Sequence, residues 1–197
     1  MEERPQRRFG DLGPNPQMWE ALERGPKLRR ILTEFYQELY RDPLLAPFFS
    51  NTTIEWVIDH QYAFLADIFS GEKTFFGDRP RNAHHWMVIS DEIFDYREEL
   101  MQRCLERHQI PPALRQAWRA VEEVFRPQIV KDKPFGKKRH GVELPLEGYE
   151  RMELSVGSVC DDCQAPLDVG ASGFFHVRTG RLYCGPCKPG PAQGQPR

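Results

Sequence analysis

In PKLRRILTEFYQELYR, Leu28, Ile31, Leu32, Phe35, Tyr36 and Leu39 return every three or four positions, so the segment predicts a helix with one apolar face. Pro26 opens it at a permitted first-turn position, after a Gly25-Pro26 break that closes a shorter helix over 17–24. Asp42-Pro43 stops it, and LLAPFF makes a tight apolar corner. Ile54, Val57, Ile58, Phe64, Leu65 and Ile68 mark the next helix, over 53–70, with Gly71 as its glycine stop. EKTFFGDRPRN reads as a loop, followed by a short helix that holds His84. Ile93, Phe94, Leu100, Met101, Cys104 and Leu105 predict a helix over 91–108; Pro111-Pro112 breaks it, and a last helix runs to Val130. Strand-like alternation is missing before residue 140, so the first 130 residues read as all-α.

Beyond that point the pattern changes. KDKPFGKKRHG is basic and rich in helix breakers, and residues 131–150 read as a linker or surface arm. Short stretches such as GFFHV then suggest strands. Residues 1–16 and 191–197 read as flexible tails, which leaves a helical domain over 17–130 and a small module over 151–190.

Composition narrows the classes. Hydrophobic residues make up 40 %, with 13 Phe and 4 Trp, enough for a sizeable core. A net charge of −2 argues against a nucleic-acid partner, and the basic arm reads as a solvated linker. No apolar run approaches the ~20 residues of a membrane helix, and the N-terminus lacks the hydrophobic segment of a secretory signal. The expected location is cytoplasmic, where thiols serve as metal ligands or stay free.

Some polar residues sit on apolar faces. Tyr36 shares a face with Leu32 and Leu39; Gln61 shares one with Val57, Phe64, Leu65 and Ile68. A buried polar group without a partner costs ~1–3 kcal/mol. Each therefore finds a local partner, or both point into a cavity and share a ligand. The pair His84-His85 ahead of an amphipathic run adds a metal-binding imidazole to the second possibility.

The order of these residues resembles the truncated, two-over-two haemoglobins. FYQELYRDPLLAPFF, then HQYAFL, then NAHHWMVISDEIFD follow that family's pattern, with Ile89, Phe94 and Asp95 at five, ten and eleven residues beyond His84. The resemblance covers residues 26–130. It implies an all-α globin-like fold, haem b, and reversible binding of O2, and also of NO and CO. It further implies His84 as the axial ligand, Tyr36 and Gln61 as distal hydrogen-bond donors, Phe49 against the porphyrin and Val57 at the distal gate. Neutral imidazole is the usual axial ligand of globin haem, and distal polarity decides how the iron treats its ligand. On a helix His85 lies ~100° from His84, so only one faces the iron; His85 is expected at the surface or the propionate side. Several positions depart from the pattern. Phe75 and Phe76 stand where a tyrosine is common, Pro80 replaces methionine, and Trp56 replaces a basic residue. Arg97 stands where an apolar residue or tryptophan is usual; if buried it needs an anionic partner. His60 is a sixth-ligand candidate, although an exposed helix position suits it better.

The C-terminal module carries VCDDC and YCGPC. Cys160, Cys163, Cys184 and Cys187 form two C-x2-C knuckles with twenty residues between them. Four thiolates in this spacing suit a closed tetrahedral Zn²⁺ site of zinc-ribbon type, structural in role. A segment of ~35 residues also needs such a staple. A thioredoxin-like reading of CGPC lacks its βαβ context, and a rubredoxin-like iron site is the remaining rival. His176 could replace a cysteine only if one is displaced, and Cys104 reads as a core residue.

Three functional classes follow. The first is a gas-binding or sensing globin whose zinc module docks a partner. The second is a haem enzyme, an NO dioxygenase or peroxidase, which needs an unidentified reductase. The third is an interaction protein that keeps a globin shell without haem.

Overall fold

The computed structural model describes residues 13–50, 52–73, 75, 77, 79–139, 141–146, 148–177 and 180–188. The expected tails at 1–12 and 191–197, Phe76 and His140 lie outside the described residues. The chain divides into two compact units, residues 1–133 and 134–197.

Among the described residues of the first unit six α-helices follow one another: α1 (Pro16–Ala21), α2 (Pro26–Leu39), α3 (Ile54–Ser70), α4 (Pro80–Ala83), α5 (Asp91–Arg107) and α6 (Pro112–Ile129). A 3-10 turn, Ala46–Phe49, occupies the LLAPFF corner. Local chemistry sets the boundaries. Thr53 Oγ1 accepts from Trp56 N at the start of α3, and Ser90 Oγ accepts from Ile93 N at the start of α5. Gly71 ends α3 in the left-handed conformation, at φ 80°. Asn15 Oδ1 caps α1, while Asn15 N donates to the Phe69 carbonyl, so residues 13–16 are tied down, contrary to the expected tail. Asp42 serves the corner: its Oδ1 accepts from Leu44 N and Leu45 N, and its Oδ2 accepts from the Tyr96 hydroxyl at 2.6 Å.

The apolar stripes meet in one core. α2 packs on both α3 and α5, and α5 pairs with α6. Leu28, Ile31, Leu32, Phe35, Met101, Leu105 and Trp118 are fully buried there. The Trp118 ring lies 5.2 Å from Phe69. Arg126 locks α6 to α5: it donates to Asp91 and Asp95 and lies 4.2 Å above the Phe94 ring. Cys104 is buried in this core, as its neighbours suggest.

The second unit is built from short antiparallel strands. β1 (Lys138–Arg139) pairs with β2 (Val142–Glu143), and β3 (Tyr149–Glu153) with β6 (Ser172–His176). β4 (Ser158–Val159) pairs with β5 (Pro166–Leu167), and β6 also pairs with β7 (Leu182–Tyr183). Residues 131–150 are therefore more than a linker. Lys131 bridges back to Ile89, and β1, β2 and the start of β3 follow. Hairpins this short lack the run of alternating residues by which a strand is recognised. The unit buries a small apolar cluster, Leu154, Cys160, Leu167 and Leu182, with Phe175 packed against it.

Candidate ligand cavity and cysteine cluster

A cavity opens between the helices of the first unit. Counted out to its open mouth, it holds about 1050 Å³ of empty space. Its walls are mostly apolar, including Phe49, Phe64, Met87, Ile93 and Phe125; polar side chains enter at a few points, namely Tyr36, His60, Gln61, His84, Arg97, Glu98 and Glu122.

His84 reaches the cavity from a turn. α4 is only four residues long, and His84 is its C-cap. The Pro80 carbonyl accepts from both His84 N, at 3.0 Å, and His84 Nδ1, at 2.8 Å. The ring thus carries its proton on Nδ1 and keeps its Nε2 lone pair. Burial, against the pull of the Pro80 carbonyl, lowers the imidazole pKa to about 4, and the charges of Lys131 and Arg97 act in the same direction. His84 is neutral at pH 7, the state a metal needs. Lys131 Nζ completes the mount by donating to the His84 carbonyl at 2.7 Å and to the Ile129 carbonyl at 3.2 Å. His85 turns the other way. It is fully buried and outside the cavity lining, which corrects the expected surface position. The cause is the length of α4: the helix ends at His84, so a helical offset does not apply to the next residue.

On α2, Tyr36 is 5 % exposed, with the Phe35 and Phe49 rings edge-on at 5.2 and 5.8 Å. Burial pushes its phenol up to about 12, so the hydroxyl stays protonated and able to donate; the Arg97 guanidinium beside it pulls the other way. Gln61 lines the same space from α3, half-buried. Phe49 lines it from the 3-10 turn. Val57 is half-buried against the helical core and does not line the cavity. His60, expected at an exposed position, is half-buried in the cavity wall instead. It stacks on Trp56 at 4.7 Å and meets Phe75 edge-on at 4.9 Å, and Gly77 leaves room for its ring.

Arg97 is half-buried and has anionic partners. It donates to Glu98 Oε1 at 2.8 Å and to Glu122 Oε1, and its guanidinium lies 4.7 Å over the Phe35 ring. Glu98 and Glu122 escaped the sequence reasoning, although the signal was present. Phe94, Glu98, Met101 and Leu105 fall at helical spacing on one face, as do Trp118, Glu122 and Phe125 on another. A charged residue on such a face carries the same implication as Tyr36 and Gln61.

A profile of the bacterial-like globin family matches residues 17–130, more than half of the chain. The chain belongs to the bacterial-like globin family. The group 1 truncated hemoglobin of Nostoc commune is 37 % identical over 60 residues, which is 30 % of this chain and 50 % of that protein. Its counterpart from Nostoc sp. (strain MUN 8820) is 35 % identical over the same length. The chain thus spans about half the length of these curated relatives. Among solved structures, the Fe(III) form of truncated hemoglobin from Tetrahymena pyriformis is similar with a TM-score of 0.55. That match has 22 % identity and covers 58 % of this chain and 98 % of the other. At this identity the likeness concerns fold: the globin unit has an all-α globin architecture.

Outside the globin unit, the Cys160, Cys163, Cys184 and Cys187 sulfurs all lie within 4.8 Å of one another. Cys163 Sγ and Cys184 Sγ are 3.8 Å apart. A tetrahedral ion with ~2.3 Å bonds to sulfur places its ligands ~3.8 Å apart, so the spacing suits zinc. Backbone N–H groups of Cys163 and Cys184 point at Cys160 Sγ and hold its thiol down near 6. Hydrogen bonds with the Cys184 and Cys163 sulfurs push Cys187 up, since they favour its protonated thiol. Asp161 braces the first knuckle, with Oδ2 accepting from Leu182 N at 2.6 Å. Glu34, Cys104 and His108 also lie close together. There, Arg107 Nε already donates to Glu34 Oε1 and His108 Nε2 bonds Glu34 Oε2, so that cluster is satisfied as an ion pair.

Proposed function

We propose that the globin unit holds haem b in this cavity with His84 as axial ligand, and binds O2 reversibly. The mount of His84 carries the reading: a neutral ring, its Nδ1 proton held by the Pro80 carbonyl and Nε2 left for a metal. Bound haem supplies a ferrous iron able to take O2, NO or CO. Tyr36 supplies a protonated hydroxyl to the same cavity and Gln61 an amide, both able to donate to a ligand with partial negative charge. Phe49 gives an apolar contact for the porphyrin. Val57, outside the lining, acts at the gate only indirectly through Gln61, one turn on. Keeping the iron ferrous is the task of a separate reductase, in a reducing cytoplasm that also keeps the four cysteines out of disulfides.

The cysteine cluster supports a structural Zn²⁺ site in a zinc-ribbon-like module, which then serves to dock a partner. The apolar cluster of that unit is too small to stand without a staple.

The test is a set of visible spectra of wild type and His84→Ala, each oxidised, reduced and CO-bound, with zinc and iron analysis. A Soret band that His84→Ala abolishes or reshapes is expected. An unchanged spectrum in the variant overturns the axial assignment, and a chain that takes up no haem leaves the reading of an interaction protein.

A further inference from the structure

The β3–β6–β7 sheet of the second unit has two unlike faces. Residues directly opposite on antiparallel strands share a face, and successive residues alternate between faces. Phe175 and Leu182 are opposite each other and belong to the apolar cluster around Cys160. The other face carries Tyr149 across from His176, and Phe174 across from both Arg151 and Tyr183. Tyr149, Phe174, His176 and Tyr183 are all half-buried there. The Tyr149 ring meets His176 at 5.1 Å and Tyr183 at 5.7 Å, with interplanar angles of 77° and 83°. The rings thus stand as walls at right angles and do not form a flat platform.

Those walls already hold a cation. Lys188 Nζ lies 4.9 Å from the centroid of Phe174 and 5.6 Å from that of Tyr149. Lys188 N donates to the Cys184 carbonyl, so the second cysteine knuckle sets its position. Among the described residues no carboxylate pairs with this ammonium. Arg151, on the same face, donates from Nε and Nη2 to Ser172 Oγ, toward the end of the strand pair remote from Tyr149.

We propose that Tyr149, Phe174 and Tyr183 form an aromatic cage for quaternary ammonium groups, with the Lys188 ammonium as its occupant in the free chain. The inference concerns the second unit alone and goes beyond the haem reading. Ring faces carry the negative part of the aromatic quadrupole and attract a cation. A lysine ammonium is a compact, strongly hydrated charge on a flexible stem. Lys188 is exposed, so it keeps much of its water and is held weakly. A trimethylammonium group has no N–H to hydrate and presents methyl groups to the rings, so it gains contact and attraction together. Single-stranded nucleic acid uses the same residue types in another way, by stacking bases on ring faces. Rings turned 77° and 83° from one another provide no shared stacking plane.

The experiment uses the full chain with zinc supplied. Tetramethylammonium is titrated in and followed by proton NMR. Its methyl signal is expected to move upfield and to show cross-relaxation with the Tyr149 and Phe174 rings, with Kd on the order of 1 mM. Lys188→Ala, at a position outside the strands, removes the internal competitor and tightens binding by about two- to fivefold, the size of one exposed cation–π contact. Phe174→Leu weakens binding by about fivefold or more while amide dispersion elsewhere in the unit persists. Choline against its neutral tert-butyl isostere needs no variant, and the charge is expected to favour choline by at least about fivefold. Equal binding of the isostere overturns the proposal, as does a Lys188→Ala chain that binds no more tightly than wild type. An oligothymidine that shifts the same ring signals where tetramethylammonium does not overturns it in favour of a stacking surface. Tighter binding of choline, or of a short peptide bearing trimethyllysine, supports the cage and assigns the source of the ligand.

Discussion

Glu98→Gln isolates the energetic consequence of placing a carboxyl in the cavity wall. Glu98 is fully buried, and its acid is pushed up from 4.5 to about 9, mainly by burial. The folded chain keeps this proton where the unfolded chain has released it. Its contribution to stability is therefore complete below about pH 4.5 and is lost as pH rises toward about 9. Each pH unit within that window corresponds to about 1.4 kcal/mol, so at pH 7 the wild type has given up about 3 kcal/mol relative to a side chain that never ionises. Glutamine is that side chain: it keeps the shape, and its carbonyl oxygen still accepts from Arg97. Urea unfolding of wild type and variant, followed by helical circular dichroism at about pH 5.5, 7 and 8.5, provides the difference curve in which shared titrations cancel. The variant is expected to gain on wild type by ~1 kcal/mol or more per pH unit. Parallel stability curves would refute the reasoning, because Glu98 would then ionise as readily in the folded chain as in the unfolded one.

Three other outcomes follow from the same geometry. Tyr36→Phe, in haem-loaded protein, removes one donor and raises the O2 dissociation rate by about tenfold, the equivalent of one hydrogen bond of ~1–1.5 kcal/mol, with CO affected less; flash photolysis reads it. Lys131→Met removes the ammonium on the His84 carbonyl and is expected to speed hemin transfer to apomyoglobin by about tenfold or more, a charge-assisted bond being worth ~1.5–3 kcal/mol. A strong chelator, or Cys160→Ser, melts the strand signals of residues 134–197 in hydrogen exchange and leaves the helices protected.

Helix positions were readable because each buries one face, and a face repeats at a fixed spacing. The run from Leu28 to Leu39 and the Gly71 stop illustrate this. The polar intruders obeyed the same rule: Tyr36 and Gln61 stood out from their stripes, and Glu98 and Glu122 did so equally, yet a charged residue is easily taken for a solvated face. Arg97 drew attention as a departure from the family pattern, but spacing along one helix could not identify partners on its neighbour. His85 was misplaced because periodicity does not reveal that α4 stops after four residues. Residues 131–150 were misread because a two-residue strand has no period. The gathering of the four cysteines was legible from spacing alone, because two C-x2-C knuckles each bring a pair of sulfurs to one turn.

The Lys131 ammonium bears on how this protein is shortened for study. The family match stops at residue 130, and trimming there looks natural. Such a cut deletes the side chain that grips the turn bearing His84, together with the backbone bridge to Ile89. A stop codon after Lys133, where the first compact unit ends, keeps both. Poor colour in the shorter product would reflect a missing clamp rather than a cavity unfit for its cofactor.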